Sequence, residues 1–272
     1  FEKIQPDHVL IYGDTNSTLA GALASSKRGI PLSHVEAGLR SFNRCMPEEI
    51  NRVVADHLSN YFFCPTAASV ANLAVEGIKE NVFMVGDVMA DAVYLFTEIA
   101  EKKSNILEEL SIQPKNYCLA TTHRSGNVDK KNHLKEIIEG LQGIDLPVVL
   151  PLHPRTKKML EMLNLEFSNN VHLINPVGYL DMLILEKNAD CILTDSGGIQ
   201  KEAYLFGVRC ITMREETEWI ESVDVGWNYL AGANHEKILK SFYGFKPKNK
   251  RPQIYGNGDA SDKIVQIIKT SF

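Results

Sequence analysis

CILTDSGGIQKEA, residues 191–203, is the stretch on which the fold turns. Its first four residues form an apolar run of strand length. The run stops at Asp195-Ser196-Gly197-Gly198, and a helical pattern begins with no room for a loop. A strand passing straight into a helix is half of a βα unit. Two glycines at the junction admit a backbone approach that side chains would block. They open a helix whose unpaired N–H groups and positive dipole end point outward, a place suited to a phosphate. A tight turn without a ligand uses the same residues, and S-G-G alone leaves both readings open.

The same unit recurs along the chain. VLIYGD (9–14), PLSHVEA (31–37), YFFCPT (61–66) and VFMVGD (82–87) form a first series of strand-like runs. YCLATTH (117–123), PVVLPLH (147–153), VHLINP (171–176), CILTDS (191–196), RCITM (209–213) and WNYLAG (227–232) form a second. Each is followed by a helical pattern or a turn that could start one. The runs are rich in Val, Ile and Leu rather than alternating, as parallel strands buried on both faces are. Repeated βα units predict a doubly wound α/β fold. Two series joined near residues 88–112 predict two domains: 1–88, and a nucleotide-binding domain over 89–250. The Lys-, Pro-, Asn- and Gly-rich segment 245–258 reads as an exposed connector. Residues 251–272 carry a last helix, Asp262 to Thr270, expected to pack back on the N-terminal domain. Phe1 to Asp7 reads as the end of a helix and its exit turn. With no initiator Met, the chain is expected to lack a natural N-terminal part.

The chain has 272 residues and a net charge of −5. That balance argues against nucleic acid as the partner, since phosphate binding over a broad surface wants a basic patch. It leaves room for one anionic ligand in a cleft. No long apolar span marks a membrane segment. The five cysteines (Cys45, Cys64, Cys118, Cys191, Cys210) are scattered, with no C-x-x-C pair. They read as reduced thiols in a cytoplasmic protein.

Ligands of open parallel sheets bind beyond the carboxyl ends of the strands. Those ends carry Asp14-Thr15, Glu36, His123-Arg124, His153-Pro154-Arg155 and Asp195-Ser196-Gly197-Gly198. Helix capping explains Thr15, Asn16 or Ser196 equally well. The run HVEAGLRSFNRCMPEEINR (34–52) holds three carboxylates and three arginines. Pro47-Glu48-Glu49 suits the first turn of a helix. Glu36 just past a buried strand needs a partner, and Arg40, Arg44 or Arg52 could supply it. Such carboxylates could move protons. Two histidines and an arginine at the ends of neighbouring strands suit an anion. Metal-ligand spacing is absent, so no metal is expected. No complete G-x-G-x-x-G is present, so no NAD or other cofactor is expected.

Gly13–Thr15 (G-D-T), His34–Arg40 (H-V-E-A-G-L-R), Pro47–Arg52 (P-E-E-x-N-R), Thr121–Arg124 (T-x-H-R), Asp195–Ala203 (D-S-G-G-I-Q-x-E-A) and Arg214–Glu218 (R-x-x-T-E) together resemble the non-hydrolysing UDP-N-acetylglucosamine 2-epimerases. The motifs span nearly the whole chain in family order. The resemblance implies a GT-B-like α/β fold: two Rossmann-like domains with parallel sheets facing across a cleft, and a homodimer. It implies inversion of carbon 2 of a UDP-sugar by elimination and re-addition of UDP. It casts Asp14, Glu36 and Glu48 as acid/base candidates, and His123 as a further catalytic candidate that meets the diphosphate or assists its departure. Arg52, Arg124, His153, Ser196, Gly197 and Gly198 become candidates for binding the substrate or its UDP, with Glu202 on the ribose hydroxyls.

Two departures stand out. The family has Glu two residues beyond the T-x-H-R arginine, where this chain has Gly126 in the run Ser125-Gly126-Asn127. The family's first strands and glycine-containing loop would precede Phe1. The first domain is therefore expected to be incomplete, and the chain alone inactive or poorly folded. The loop 41–46 and the run Glu216-Thr217-Glu218-Trp219 resemble a branch acting on UDP-2,3-diacetamido-glucuronate, where Arg44 could meet a sugar carboxylate. A GT-B glycosyltransferase and a non-catalytic UDP-sugar-binding fragment are the competing readings. The carboxylate-rich 34–52 run speaks against the transferase.

Overall fold

The computed structural model describes residues 1–247 and 250–271. Two compact units form: Phe1–Ala92 together with the chain from Gln253 on, and Val93–Pro252.

The first unit runs β1 (Val9–Tyr12), α1 (Asn16–Ser26), β2 (Leu32–Val35), α2 (Pro47–Leu58), β3 (Tyr61–Cys64), α3 (Ala67–Val75) and β4 (Val82–Met84). Helix α4 (Val88–Lys103) continues from it into the second unit. All strand pairs are parallel, in the order β1-β2-β3-β4. Successive residues of a strand face opposite sides, so β2 serves two cores. Leu32 packs with Ile11, Ala22 and Ala55, on the side of α1 and α2. Val35 packs with Phe63, Val85 and Ile264. Ile264 belongs to the last helix, numbered α13 below.

The second unit runs α5 (Ile106–Glu109), β5 (Cys118–Thr121), α6 (Ser125–Val128), α7 (Lys131–Gln142), β6 (Val148–Pro151), α8 (Pro154–Leu163), β7 (Val171–Ile174), α9 (Tyr179–Asn188), β8 (Cys191–Thr194), α10 (Gly197–Phe206), β9 (Arg209–Thr212), α11 (Ile220–Asp224), β10 (Asn228–Leu230) and α12 (His235–Gly244). Helix α13 (Ala260–Ser271) belongs to the first unit. The six strands are parallel in the order β10-β9-β8-β5-β6-β7. The chain works outward from β5 one way, then returns to place β8 on its other side. The β5/β8 boundary is thus the topological switch point, where ligands of such sheets bind.

Helix α7 shows how sequence builds this core. Leu134, Ile137, Ile138 and Leu141 recur at helical spacing and are all buried. Each such side chain contributes roughly 1.5–3 kcal/mol by leaving water. Four cysteines (Cys64, Cys118, Cys191 and Cys210) are buried with free thiols, and Cys45 is exposed. Burial pushes the Cys64 and Cys191 thiols up to about 12.

The ladders are shorter than the apolar runs that announced them. Gly13 and Glu36 have φ of 62° and 72°, so the backbone leaves the sheet at β1 and β2 just where the polar residues begin. The segment 245–258 needs a correction. It holds no helix or strand among its described residues, and residues 248 and 249 lie outside those. It is not simply exposed, however. Arg251 donates to the carbonyls of Tyr204 and Leu205 at 2.6 and 2.7 Å. Tyr255 is buried, and its carbonyl accepts from the Asp87 N–H at 3.0 Å. The polar composition that suggested a loose loop supplies these ties.

Gly38 marks a close approach in the first unit. Its φ is +79°, and a Cβ there would lie 2.2 Å from the Ser69 carbonyl oxygen. Gly38→Ala is expected to cost about 3 kcal/mol or more, through overpacking and backbone strain together. Gly29→Ala is the control: its φ is +67° with nothing within 4 Å, so only about 1 kcal/mol is expected. Urea unfolding of the two variants measures the difference.

Candidate active site

In the first unit the site is built on the ends of β1 and β2 and the start of α2. Asp14 follows β1, and its carboxylate pairs with the Arg52 guanidinium. Arg52 also donates to Glu49 at 2.9 Å. Asn51, its neighbour on α2, donates to the Asp14 carbonyl at 2.9 Å and to the Asn16 side chain at 3.1 Å. The Asn-Arg pair of α2 therefore clamps the turn that carries Asp14. Glu36 follows β2 in a left-handed backbone that a non-glycine residue adopts only at a cost. Its Oε2 faces Gly13, 3.3 Å from where a Cβ would stand. Pro47 starts α2, with Glu48 and Glu49 in the dipole-favoured first turn.

The two glutamates of that turn differ. Glu49 is buried and accepts from the backbone of Ser41 and Phe42 and from Arg52. Burial opposes its charge, but these hydrogen bonds outweigh it and hold the carboxyl below its usual range. Glu49 is a fastener for the 41–42 loop. Glu48 is half-buried. Two of the three arginines proposed as partners of Glu36 have other duties. Arg40 is buried between Asp56 and Glu76, at 2.7 and 2.6 Å, and Arg52 is held by Asp14 and Glu49. Arg44 is exposed.

Beneath this cluster lies a polar network. The His34 ring is buried, with Nδ1 2.6 Å from Asp56 Oδ1 and Nε2 2.8 Å from the Gly13 carbonyl oxygen. A carbonyl only accepts, so Nε2 donates to it. Burial works against the Asp56 carboxylate. The His34 hydrogen bond and charge, with Arg40, outweigh burial and hold it below the usual range. His34 thereby anchors Gly13, and with it the turn bearing Asp14.

In the second unit the site lies at the β5/β8 switch point, and Asp195 organises it. Its carboxylate is fully buried. It accepts from Thr122 Oγ1 at 2.9 Å, from the backbone N–H groups of His123 and Arg124 at 3.1 Å, and from Asn127 Nδ2 at 3.1 Å. Asn127 also donates to the Met213 carbonyl at 2.8 Å. One carboxylate at the end of β8 thus shapes the whole loop after β5. The His123 ring lies 3.4 Å from Asp195 and 5.5 Å, centre to centre, from the exposed His153 ring. Burial pushes the His123 imidazole below its ordinary value; Asp195 opposes this, while Arg124, His153 and Arg155 add to it. Gly126, where the resemblance implies Glu, has open space over it.

Helix α10 starts beside this loop. Ser196 is its N-cap, and its side chain makes no capping bond. A Cβ on Gly197 would lie 3.2 Å from Trp219 Nε1, 3.7 Å from Glu218 and 3.9 Å from the Arg124 guanidinium. The crowding at that glycine comes from the protein's own side chains, which bring Arg124 to the helix N-terminus. Arg214 pairs with Glu218 at 3.1 Å, and Thr217 donates to Gln200 of α10 at 2.6 Å, so the 214–218 loop is fixed to the same helix. One turn in, Glu202 is buried and accepts from the Tyr179 hydroxyl at 3.2 Å. A slot of about 160 Å³ opens nearby, lined by Thr121, His123, His153, Pro176, Val177 and Met182 among others.

The sequence did not reveal Asn51, Asn127, Tyr179 or the organising role of Asp195. Asn51 stands beside Arg52 in a motif already marked, and Asp195 was named only as one polar residue of the rim. Among the described residues, one group of side chains could hold a metal ion: Glu136, Glu139 and His235. Glu136 there caps α12, accepting from the His235 backbone and ring at 3.0 and 2.7 Å. No described helix is long and apolar enough to cross a membrane.

Comparison with known proteins gives this arrangement a context. The family described as UDP-N-acetylglucosamine 2-epimerase matches residues 1–269. A UDP-N-acetylglucosamine 2-epimerase homolog of Methanococcus maripaludis is 51% identical over 98% of this chain and 76% of its own length. The UDP-2,3-diacetamido-2,3-dideoxy-D-glucuronate 2-epimerase of Pseudomonas aeruginosa is 45% identical over 98% of this chain and 75% of its own. Among solved structures, Methanocaldococcus jannaschii UDP-GlcNAc 2-epimerase in complex with UDP-GlcNAc and UDP superposes with a TM-score of 0.89. It is 46% identical, over 99% of this chain and 77% of that one.

Proposed function

This chain belongs to the UDP-N-acetylglucosamine 2-epimerase family, and we propose on that premise that it interconverts UDP-N-acetylglucosamine and UDP-N-acetylmannosamine. The GT-B-like pair of α/β units divides the work. The second unit holds the UDP: the N-terminus of α10 with Ser196, Gly197 and Gly198, and the cationic loop His123-Arg124, suit a diphosphate. Glu202 suits the ribose hydroxyls, and the narrow slot beside His123 and His153 suits a pyrimidine ring. The first unit moves protons. A carboxylate takes the proton from carbon 2 as the C1–O bond to the diphosphate breaks, giving a C1=C2 double bond and free UDP. A proton then returns to carbon 2 on the opposite face, and a diphosphate oxygen re-adds at carbon 1.

What favours chemistry over mere binding is the gathering of Asp14 and Glu36 about one turn, with Arg52 on Asp14 and Glu48 at the head of the same helix. Opposite-face proton transfer needs two such groups. The diacetamido-glucuronate has two observations in its favour: Arg44 is exposed, where it could meet a sugar carboxylate, and a relative named for that activity is 45% identical. The homodimer, and a place in the cytoplasm, belong to this proposal too.

The test is incubation with each UDP-sugar in deuterated water, read by NMR. Deuterium at carbon 2 together with the epimer is the expected result. Transfer to an acceptor without label, or binding without turnover, would reject the reading. The substrate that turns over faster assigns the branch.

A further inference from the structure

Helix α9 carries an acid that the mechanism above does not use. Glu186 ends the apolar run Met182-Leu183-Ile184-Leu185 and is fully buried. Among the described residues, no N–H or O–H donates to either of its oxygens. Among the described residues, four titratable groups feel its charge or act on it. Those groups are Glu202 on α10, the Tyr117 phenol ahead of β5, Tyr179 at the start of its own helix and Cys210 on β9. The Tyr117 hydroxyl is spent on the Leu185 carbonyl at 2.6 Å, and the Tyr179 hydroxyl on Glu202 at 3.2 Å. Lys201 is the cation acting on Glu202, and its ammonium lies 4.0 Å over the Trp219 ring.

A carboxylate in such a place, with no donor, takes up a proton rather than keep its charge. The neutral acid then has an O–H that needs an acceptor, and the acceptor at hand is the Glu202 carboxylate. We propose that Glu186 is a positioning residue: it stays protonated, donates to Glu202, and so fixes Glu202 for two ribose hydroxyls. The pair carries one proton and one negative charge, and it titrates as a unit. Burial, with Glu202 beside it, drives Glu186 well above the ordinary carboxyl range; burial likewise raises Glu202. The inference rests on the assignment of Glu202 to the ribose made above.

The sign of the pH effect follows. A carboxyl raised in the folded state contributes stability that is full below its unfolded value and is lost as pH rises towards the folded one. Loss of the shared proton leaves two facing charges, which disturbs Glu202. Wild-type affinity for UDP should therefore fall further as pH rises through the range, above that of an ordinary carboxyl, where the pair loses its shared proton. Glu186→Gln supplies an N–H donor at every pH, so its affinity should match wild type below that range and lack this additional fall above it. Glu186→Leu supplies none, and UDP should bind roughly ten-fold more weakly at pH 7, with KM rising and kcat little changed.

Calorimetry with UDP measures these affinities. Infrared spectroscopy of the ligand-free protein provides a separate readout: a protonated-carboxyl band in wild type that Glu186→Gln removes. Absence of that band, or an equal pH slope in Glu186→Gln, overturns the pairing. The ribose assignment fails separately, if wild type binds UDP and 2′-deoxy-UDP equally well or if Glu202→Ala leaves UDP affinity intact. Either of those results would remove the role in positioning even with the band present.

Discussion

Glu36→Gln is expected to lower epimerisation by roughly 10²- to 10⁴-fold, the usual contribution of a positioned acid or base, while UDP affinity stays at the wild-type level. The separation follows from where the groups lie. Glu36 stands in the first unit, after β2, and the diphosphate and ribose candidates all stand in the second. Glutamine keeps the shape and loses the proton chemistry. The backbone adds a second, opposite expectation. Glu36 has a φ of 72°, a conformation that glycine adopts freely and glutamate does not. Glu36→Gly should therefore relieve about 1 kcal/mol of backbone strain, offset by the loss of the side chain's own interactions, yet abolish the reaction. A residue that costs stability where glycine would relieve it is retained for its side chain. Thermal unfolding and the label-exchange assay, run on both variants, measure the two effects. A Glu36→Gln enzyme of normal activity would shift the proton transfer to Asp14 or Glu48.

The alternation of apolar runs and helical patterns made the ten strands legible, because burial on both faces writes itself into composition. The polar ends of those runs were legible for the same reason: Asp14, Glu36, His123 and Asp195 each interrupt an apolar stretch. The strand order was not. That β5 lies against β8 rather than beside β6 alone is a property of the sheet, and only that adjacency lets Asp195 reach the backbone of His123 and Arg124 across 72 and 71 positions of sequence. Glu186 was missed for another reason. A charged residue at the end of an apolar helix reads as a solvated terminus, and nothing local shows that it is buried and interacts with Glu202. The 245–258 segment misled in the opposite way. Its loop composition is real, but loops can be anchored by their backbone groups, as Tyr255 and Arg251 show.

Asp195→Ala should be the most damaging single change in the second unit. The carboxylate is itself fully buried and satisfies Thr122, two backbone N–H groups and Asn127. Alanine leaves those donors buried and unpaired, at a cost of about 3–5 kcal/mol. It also frees the loop that presents His123 and Arg124, so UDP binding should be lost with it. Asp195→Asn separates charge from geometry. An amide oxygen at the Oδ2 position can still accept from Thr122, His123, Arg124 and Asn127. The amide nitrogen then falls at the Oδ1 position, 3.4 Å from the His123 ring nitrogen. The imidazole is held below its ordinary value by burial, so its neutral form can accept that N–H. The asparagine variant should lose only about 1–2 kcal/mol of stability and keep measurable UDP affinity. Urea unfolding and UDP calorimetry on the pair decide the point. Equal losses in the two variants would mean that the charge of Asp195, rather than its count of acceptors, holds the loop in place.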